Sequence, residues 1–244
     1  MEAIRIEGLN KRFGEKAAVN DLTFTVNEGE LVSLLGVNGA GKTTTIRMAC
    51  GLLPPDSGDA VLLGHSIVHD TEAAKGQLNV SPQETAVAPN LTVRENLELM
   101  ARIYGADKGT AQQRATEVIA QFKLGEKEKK RAKTLSGGQQ RRLSIAMALI
   151  SQPKILFLDE PTLGLDVLAR RELWQHIRAL HGKMTIVLTT HYMEEAEALS
   201  DHVYVMCDGH LTAQGTVEEL KASTGKGSLE EAFIDLVTKE GAAV

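Results

Sequence analysis

The chain has 244 residues, enough for one large domain or a core with a subdomain, and 43% of them are apolar, so a sizeable core can be buried. Aromatics are only 4%, which leaves the core to Leu, Val, Ile and Ala, and a formal net charge of −5 argues against a bulk nucleic-acid-binding surface while leaving room for a local basic patch. Met1-Glu2-Ala3-Ile4-Arg5 lacks the apolar stretch of a signal peptide, no window approaches a spanning helix, and Cys50 and Cys207 lack metal spacing, so the expectation is a soluble or peripherally attached protein with reduced, buried thiols.

From residue 4 to 26, apolar and polar residues alternate about the turn Arg12-Phe13-Gly14-Glu15, with Ile4/Ile6 and Leu22/Phe24/Val26 on one face of a strand pair. Asn27-Glu28-Gly29-Glu30 then turns into residues 31–35, a short apolar run that reads as a buried strand. Gly36-Val37-Asn38-Gly39-Ala40-Gly41-Lys42-Thr43 follows and fits G-x-x-x-x-G-K-[ST], and residues 42–50, free of Pro and Gly, read as a helix. Strand, glycine-rich loop and helix make a phosphate cradle. The glycines let backbone N–H groups turn inward on an anion, and the helix N-terminus adds its partial positive charge. Lys42 is placed to reach β- and γ-phosphates, and the Thr43 hydroxyl to ligate Mg²⁺.

Residues 51–58 are dense in breakers, and residues 60–63 form another short strand. His65 and His69 have a helical metal-pair spacing, but Ile67 and Val68 between them favour extended chain or a turn and two surface histidines. Residues 78–83 read as a strand running into a loop that carries Gln83. Thr92-Val93-Arg94-Glu95 is a capping box that opens a helix, and a second helix spans 110–122. The charge run 126–133 reads as a solvated loop. Between 84 and 150 strand character almost vanishes, which predicts a helical subdomain inserted into an α/β core.

Leu135-Ser136-Gly137-Gly138-Gln139 opens a helix to residue 150, with Ser136 as N-cap. Locally this is either an ordinary helix start or a second anion-binding helix end. Residues 155–158 form an unbroken apolar strand ending in Asp159-Glu160-Pro161. Carboxylates at that end of a buried parallel strand suit Mg²⁺ and an attacking water. Gly164-Leu165-Asp166 turns into a helix over 168–180. Residues 185–190 form a further buried strand with His191 directly after it, on the same sheet edge as Asp159. A helix over 192–199, a hairpin about Asp208-Gly209, and two short helices capped at Thr216 and Ser228 close the chain.

This order of motifs resembles the nucleotide-binding subunit of an ATP-binding-cassette (ABC) transporter over nearly the whole chain. Leu135-Ser136-Gly137-Gly138-Gln139 matches the signature of that family in full, and Gln83, Asp159-Glu160, Asp166 and His191 fall in its order and spacing. The resemblance implies an α/β fold: a P-loop NTPase (RecA-like) core over 1–83 and 151–215, an antiparallel β subdomain, an inserted α-helical subdomain over 84–150, and a C-terminal helical extension over 216–244. It implies ATP and Mg²⁺ as ligands. ATP would contact Phe13, in place of a more usual Tyr, and Gly36, Asn38, Gly39, Ala40, Gly41, Lys42, Thr43 and Thr44. A second cassette would add its Ser136, Gly137, Gly138 and Gln139 in trans, with a homodimer as the default.

By the same resemblance Thr43, Gln83 and Asp159 would serve Mg²⁺, and Glu160 would act as general base or water-positioning group. His191 would contact the γ-phosphate, and Asp166 would link the paired sites. The implied partners are transmembrane permease subunits, met through a surface beside Gln83 at the cytoplasmic face of the plasma membrane, and no nucleic acid. Pro82-Gln83-Glu84, Leu91-Thr92-Val93-Arg94-Glu95-Asn96-Leu97 and the tail Ser228-Leu229-Glu230-Glu231-Ala232-Phe233 resemble bacterial drug, antibiotic or sodium exporters, and the chain shows no added regulatory domain of the sugar-importer kind. An importer ATPase stays open as an alternative. So does a soluble, non-transport ABC ATPase, although such proteins usually carry tandem cassettes or a long coiled coil.

Overall fold

In the computed structural model, which describes residues 1–241, the alternating N-terminal segment builds two long strands, β1 (Glu2–Phe13) and β2 (Lys16–Asn27). The apolar run forms β3 (Leu31–Leu35), and the phosphate loop leads into α1 (Lys42–Ala49). Next come β4 (Ser57–Leu62), β5 (His65–Ser66), a short α2 (Thr71–Lys75) and β6 (Leu78–Ser81). The central stretch is helical: α3 (Val93–Ile103), α4 (Lys108–Gln121) and α5 (Gly137–Leu149). Then follow β7 (Ile155–Asp159), α6 (Val167–Arg178), β8 (Thr185–Thr190), α7 (Met193–Leu199), β9 (His202–Cys207), β10 (His210–Gly215), α8 (Val217–Thr224) and α9 (Leu229–Gly241). Residues 242–244, the end of the expected C-terminal extension, lie outside the described residues.

The strands form two sheets. One is antiparallel in the order β2-β1-β4-β5, and the other runs β10-β9-β3-β8-β7-β6, parallel except for the β9–β10 hairpin. Strands β3, β7 and β8 are buried along their whole length, because both faces of the parallel sheet are covered. Their two-residue period sorts the side chains. Ile155 and Phe157 of β7, with Val187 of β8, join Ile46 and Met48 of α1 and Ile4, Ile6 and Phe24 of the antiparallel sheet in one core. Leu156, Leu158, Ile186 and Leu188 point the other way, into a core shared with Leu97, Phe122, Leu143 and Ile177 of the helical side.

Several boundaries shift from expectation, and two of them, with one loop, have a visible cause. Strand β4 begins at Ser57, paired with Asn10, and not at Ala60. Helix α4 begins at Lys108, because Asp107 caps it by accepting from Thr110 N at 2.9 Å. The charge run 126–133 is not simply solvated loop. It carries two 3-10 turns, and its Glu128 and Lys130 carbonyls accept from Arg94 N and Val93 N at the start of α3. Arg94 also pairs with Glu128 at 2.6 Å.

Candidate active site

The phosphate loop follows β3 and is boxed in by neighbouring backbone. A Cβ added at Gly36 would lie 2.5 Å from the Met206 carbonyl oxygen. At Gly41, whose φ is 101°, an added Cβ would lie 2.4 Å from the Ala18 carbonyl oxygen. Only glycine fits either place. Gly41 also caps α1 without a side-chain hydrogen bond, so the first N–H groups of that helix keep their capacity for an anion. Lys42 is 4% exposed. Its ammonium donates to the Gly36 carbonyl at 2.7 Å and the Val37 carbonyl at 3.1 Å, and lies 3.8 Å from Glu160 Oε1. Burial pushes its pKa down, against the opposing pull of Glu160 and Asp159.

Asp159 closes β7 and is met from two sides. Thr43 Oγ1 donates to its Oδ1 at 2.9 Å, and Thr189 Oγ1 of β8 donates to the same oxygen at 2.6 Å. Thr189 Oγ1 in turn accepts from Glu160 N at 2.9 Å. Glu160 is buried and adopts a left-handed φ of 44°, a conformation that costs a non-glycine residue about 1–3 kcal/mol and tends to collect at functional sites. Its Oε1 lies 3.4 Å from His191 Nδ1, which makes no hydrogen bond among the described residues. The His191 ring leans on Tyr192, and the Arg170 guanidinium sits over the other aromatic ring system of that pair, 4.3 Å from the Tyr192 centroid.

These groups converge because β3, β8, β7 and β6 are adjacent and parallel, so the loops after all four open at one sheet edge. A cleft of 470 Å³ there is lined by Phe13, Asn38, Gly39, Ala40, Gly41, Lys42, Thr43, Thr44, Gln83 and Glu160, with Lys16, Ala18 and Leu163. Gly36, Asp159 and His191 join it through the contacts above. A larger cavity of 730 Å³ lies at the opposite strand ends, beside Lys154 and Thr185, and holds none of this chemistry. Ser136, Gly137, Gly138, Gln139 and Asp166 do not line the cleft. Ser136 and Gln139 form a reciprocal capping box on α5, and Asp166 caps α6 by accepting from Leu168 N and Ala169 N. The glycine-walled loop with its buried ammonium suits a polyphosphate. The adjoining Thr43 and Asp159 oxygens are the hard donors Mg²⁺ takes.

Two contributors escaped the sequence reading. Thr189 reads only as a β-forming residue in a buried strand, yet it touches both acidic residues of the cleft. Arg141 falls inside the helix that opens at Ser136 and is not singled out by the sequence, yet it is buried and spends its guanidinium on loops of the cleft. Burial lowers its pKa to about 10, against the pull of Asp159, Glu195 and Glu160, so it stays charged at neutral pH.

Known proteins resemble this chain in sequence and fold. Residues 19–163 match the ABC transporter family. The daunorubicin resistance ATP-binding protein DrrA3 of Streptomyces coeruleorubidus is 41% identical over 99% of this chain and 77% of its own length. The Nod factor export ATP-binding protein I of Ralstonia nicotianae is 43% identical over 89% of this chain and 68% of its own. Among solved structures, a dimeric ATP-binding cassette in a post-hydrolysis state bound to ADP and Pi superposes with a TM-score of 0.78 at 25% identity, covering 87% of this chain and 98% of that one. A phosphate cradle, a carboxylate pair beside it and relatives of this kind over nearly the full length leave one assignment: the chain belongs to the ABC transporter family, as an ATP-binding and ATP-hydrolysing subunit.

Proposed function

We propose that the cleft is half of a composite hydrolytic site, completed by Ser136, Gly137, Gly138 and Gln139 of a second copy of this chain. One observation carries this: the cleft gathers the phosphate loop, Gln83 and Glu160, while the anion-suited start of α5 faces elsewhere, exposed at Ser136 and Gly137. The capping box uses the Ser136 and Gln139 N–H groups and leaves those of Gly137 and Gly138, which suit a phosphate presented from outside. Lys42 and the N–H groups of α1 hold the β- and γ-phosphates, and Phe13, 54% exposed at the cleft rim, offers a ring face for the adenine. Thr43 and Asp159, with Gln83 nearby, would hold Mg²⁺, which would offset charge on the phosphates. Glu160 positions and deprotonates the attacking water. His191, against Glu160 on one side, contacts the γ-phosphate, and Asp166 at the start of α6 lies toward the paired site.

The subunit powers an exporter, as the names of its drug-resistance and Nod-factor-export relatives support. Among the described residues no helix is long and apolar enough to cross a membrane. Attachment at the cytoplasmic face is therefore through permease subunits, docked beside the Gln83 loop. The division of the chain into an α/β core, the helical segment 84–150 and a C-terminal extension gives that partner a movable helical side to push. Replacing Glu160 by Gln tests the hydrolytic half. ATP should still bind within about threefold, turnover should fall by about 10²-fold or more, and an ATP-bound dimer should accumulate on gel filtration. Unchanged turnover would take Glu160 out of the chemistry.

A further inference from the structure

Helix α5 begins at the signature, exposed at Ser136 and Gly137, and runs inward beneath the cleft. Arg141 stands five residues after Ser136, about 7.5 Å along the axis at 1.5 Å per residue. Its side chain is buried, 3% exposed, and among the described residues its four hydrogen bonds all go to main-chain carbonyls. Two belong to the loop after β6: Nη1 donates to the Pro82 carbonyl at 2.5 Å and to that of Gln83 at 3.2 Å. The other two bracket Glu160: Nη2 donates to the Asp159 carbonyl at 2.8 Å and Nε to that of Pro161 at 2.8 Å. One turn further on, Ser144 Oγ meets Ser81 Oγ at 3.2 Å, so the same face of α5 is also pinned to β6.

A buried guanidinium is a poor device for stability alone. Desolvating it is costly, and an apolar side chain could fill the volume without that cost. What an apolar side chain cannot do is hold two loops at fixed mutual distance, which a planar fork of five donors does well. We propose that Arg141 is a positioning residue, tying the signature helix to the loops of Gln83 and Glu160 so that engagement of Ser136 by a partner's nucleotide registers in this chain's own cleft. The inference rests on the hydrolytic roles proposed above. In it, Arg141 touches no substrate. It sets the height of Glu160, whose left-handed backbone needs support from both sides. A signature helix displaced on dimer closure would carry both loops with it. The Thr43–Asp159 contact, held from α1 and β8, would stay in place.

Arg141→Met and Arg141→Lys of the full chain test this, with Arg142→Gln as control. Arg142 lies next on the same helix but pairs with Glu172 of α6 at 2.5 Å. Each protein is followed by thermal melting, ATP affinity, KM and kcat. For Arg141→Met the expected result is a cooperative melt, ATP affinity within about threefold, and kcat lower by about 10²-fold, the scale on which a misplacement near 1 Å acts. Arg141→Lys should recover part of kcat, since an ammonium reaches some of the carbonyls but cannot span them. Arg142→Gln should stay within about twofold in kcat. A kcat near that of the unsubstituted chain in both Arg141 variants would overturn the proposal, as would ATP affinity and kcat falling together. If Arg141→Met fails to fold, Arg141→Lys decides by the same two criteria. Loss of turnover in Glu160→Gln alongside normal Arg141 variants would sink this role alone, whereas normal turnover in Glu160→Gln would remove the hydrolytic reading beneath it.

Discussion

Thr189 shows how much of the cleft depends on one hydroxyl. Among the described residues it is the one side chain that bonds both the Asp159 carboxylate and the Glu160 backbone, donating to the first at 2.6 Å and accepting from the second at 2.9 Å. A hydroxyl has one donor and two acceptor sites, so both bonds can be made at once. Thr189→Val keeps the shape and removes both. We expect a stability loss of about 1–3 kcal/mol from the orphaned buried groups and a kcat lower by about tenfold or more, read by melting and steady-state hydrolysis. A normal kcat with a lowered melting temperature would make Thr189 a structural residue only. At this scale the acidic residues were legible beforehand, because Asp159 and Glu160 interrupt an apolar strand and carboxylates there need a use. Thr189 was not, since a β-branched residue inside a buried strand explains itself. Arg141 was hidden for the opposite reason. Charged residues in helices are almost always exposed, and nothing local marks an exception.

Helix contacts show a similar division. The capping boxes at Thr92, Ser136 and Thr216 formed where S/T-x-x-E/Q stood in the sequence, because each needs only four consecutive residues. The pairing of residues 128–130 with the start of α3 is a contact between distant segments, and periodicity carries no trace of it. So is the contact of Phe122, just past the end of α4, with α6. There His176 is buried and its ring stacks on Phe122 with centroids 5.2 Å apart, while Nε2 has no hydrogen-bond partner among the described residues. Burial, aided by Arg142 and Lys123 and opposed by Glu172, lowers the His176 pKa below the ordinary 6.5. The folded chain therefore binds this proton less readily than the unfolded one. Its contribution is fully present above the unfolded value of 6.5 and is lost as the pH falls below it toward the folded pKa. Thermal melts of the parent and of His176→Leu at pH 8 and pH 5.5 should show a smaller acid-induced drop in the variant. Equal drops would mean that the Phe122 contact with α6 holds independently of this proton.

On the scale of the whole molecule, the parallel sheet gathers one set of loops at one edge and leaves the signature pointing outward. Beside Asp166, Val167 and Leu168 are exposed apolar residues, and Leu163 stands at the cleft rim. Apolar residues grouped beside a functional cleft fit a surface that is covered part of the time. Ser136→Arg puts bulk and charge on the signature without touching the cleft. Monomeric ATP binding should stay within about threefold while hydrolysis falls by about 10²-fold, compared by nucleotide titration and turnover. Loss of monomer binding instead would place the signature in its own chain's site. The β3–loop–α1 unit could be foreseen as a phosphate cradle because strand, glycines and helix are contiguous. The meeting of β6, β7 and β8 at the same edge comes from sheet order, a long-range property that a family resemblance can supply and local pattern cannot. The bonds from Arg141 have one more consequence, for tolerance to change. They are addressed to the main chain and to no side chain, and every residue type presents the same carbonyl. Replacements at Pro82, Gln83 or Pro161 leave the acceptors standing. For these four bonds, the one side chain whose identity matters is therefore that at position 141.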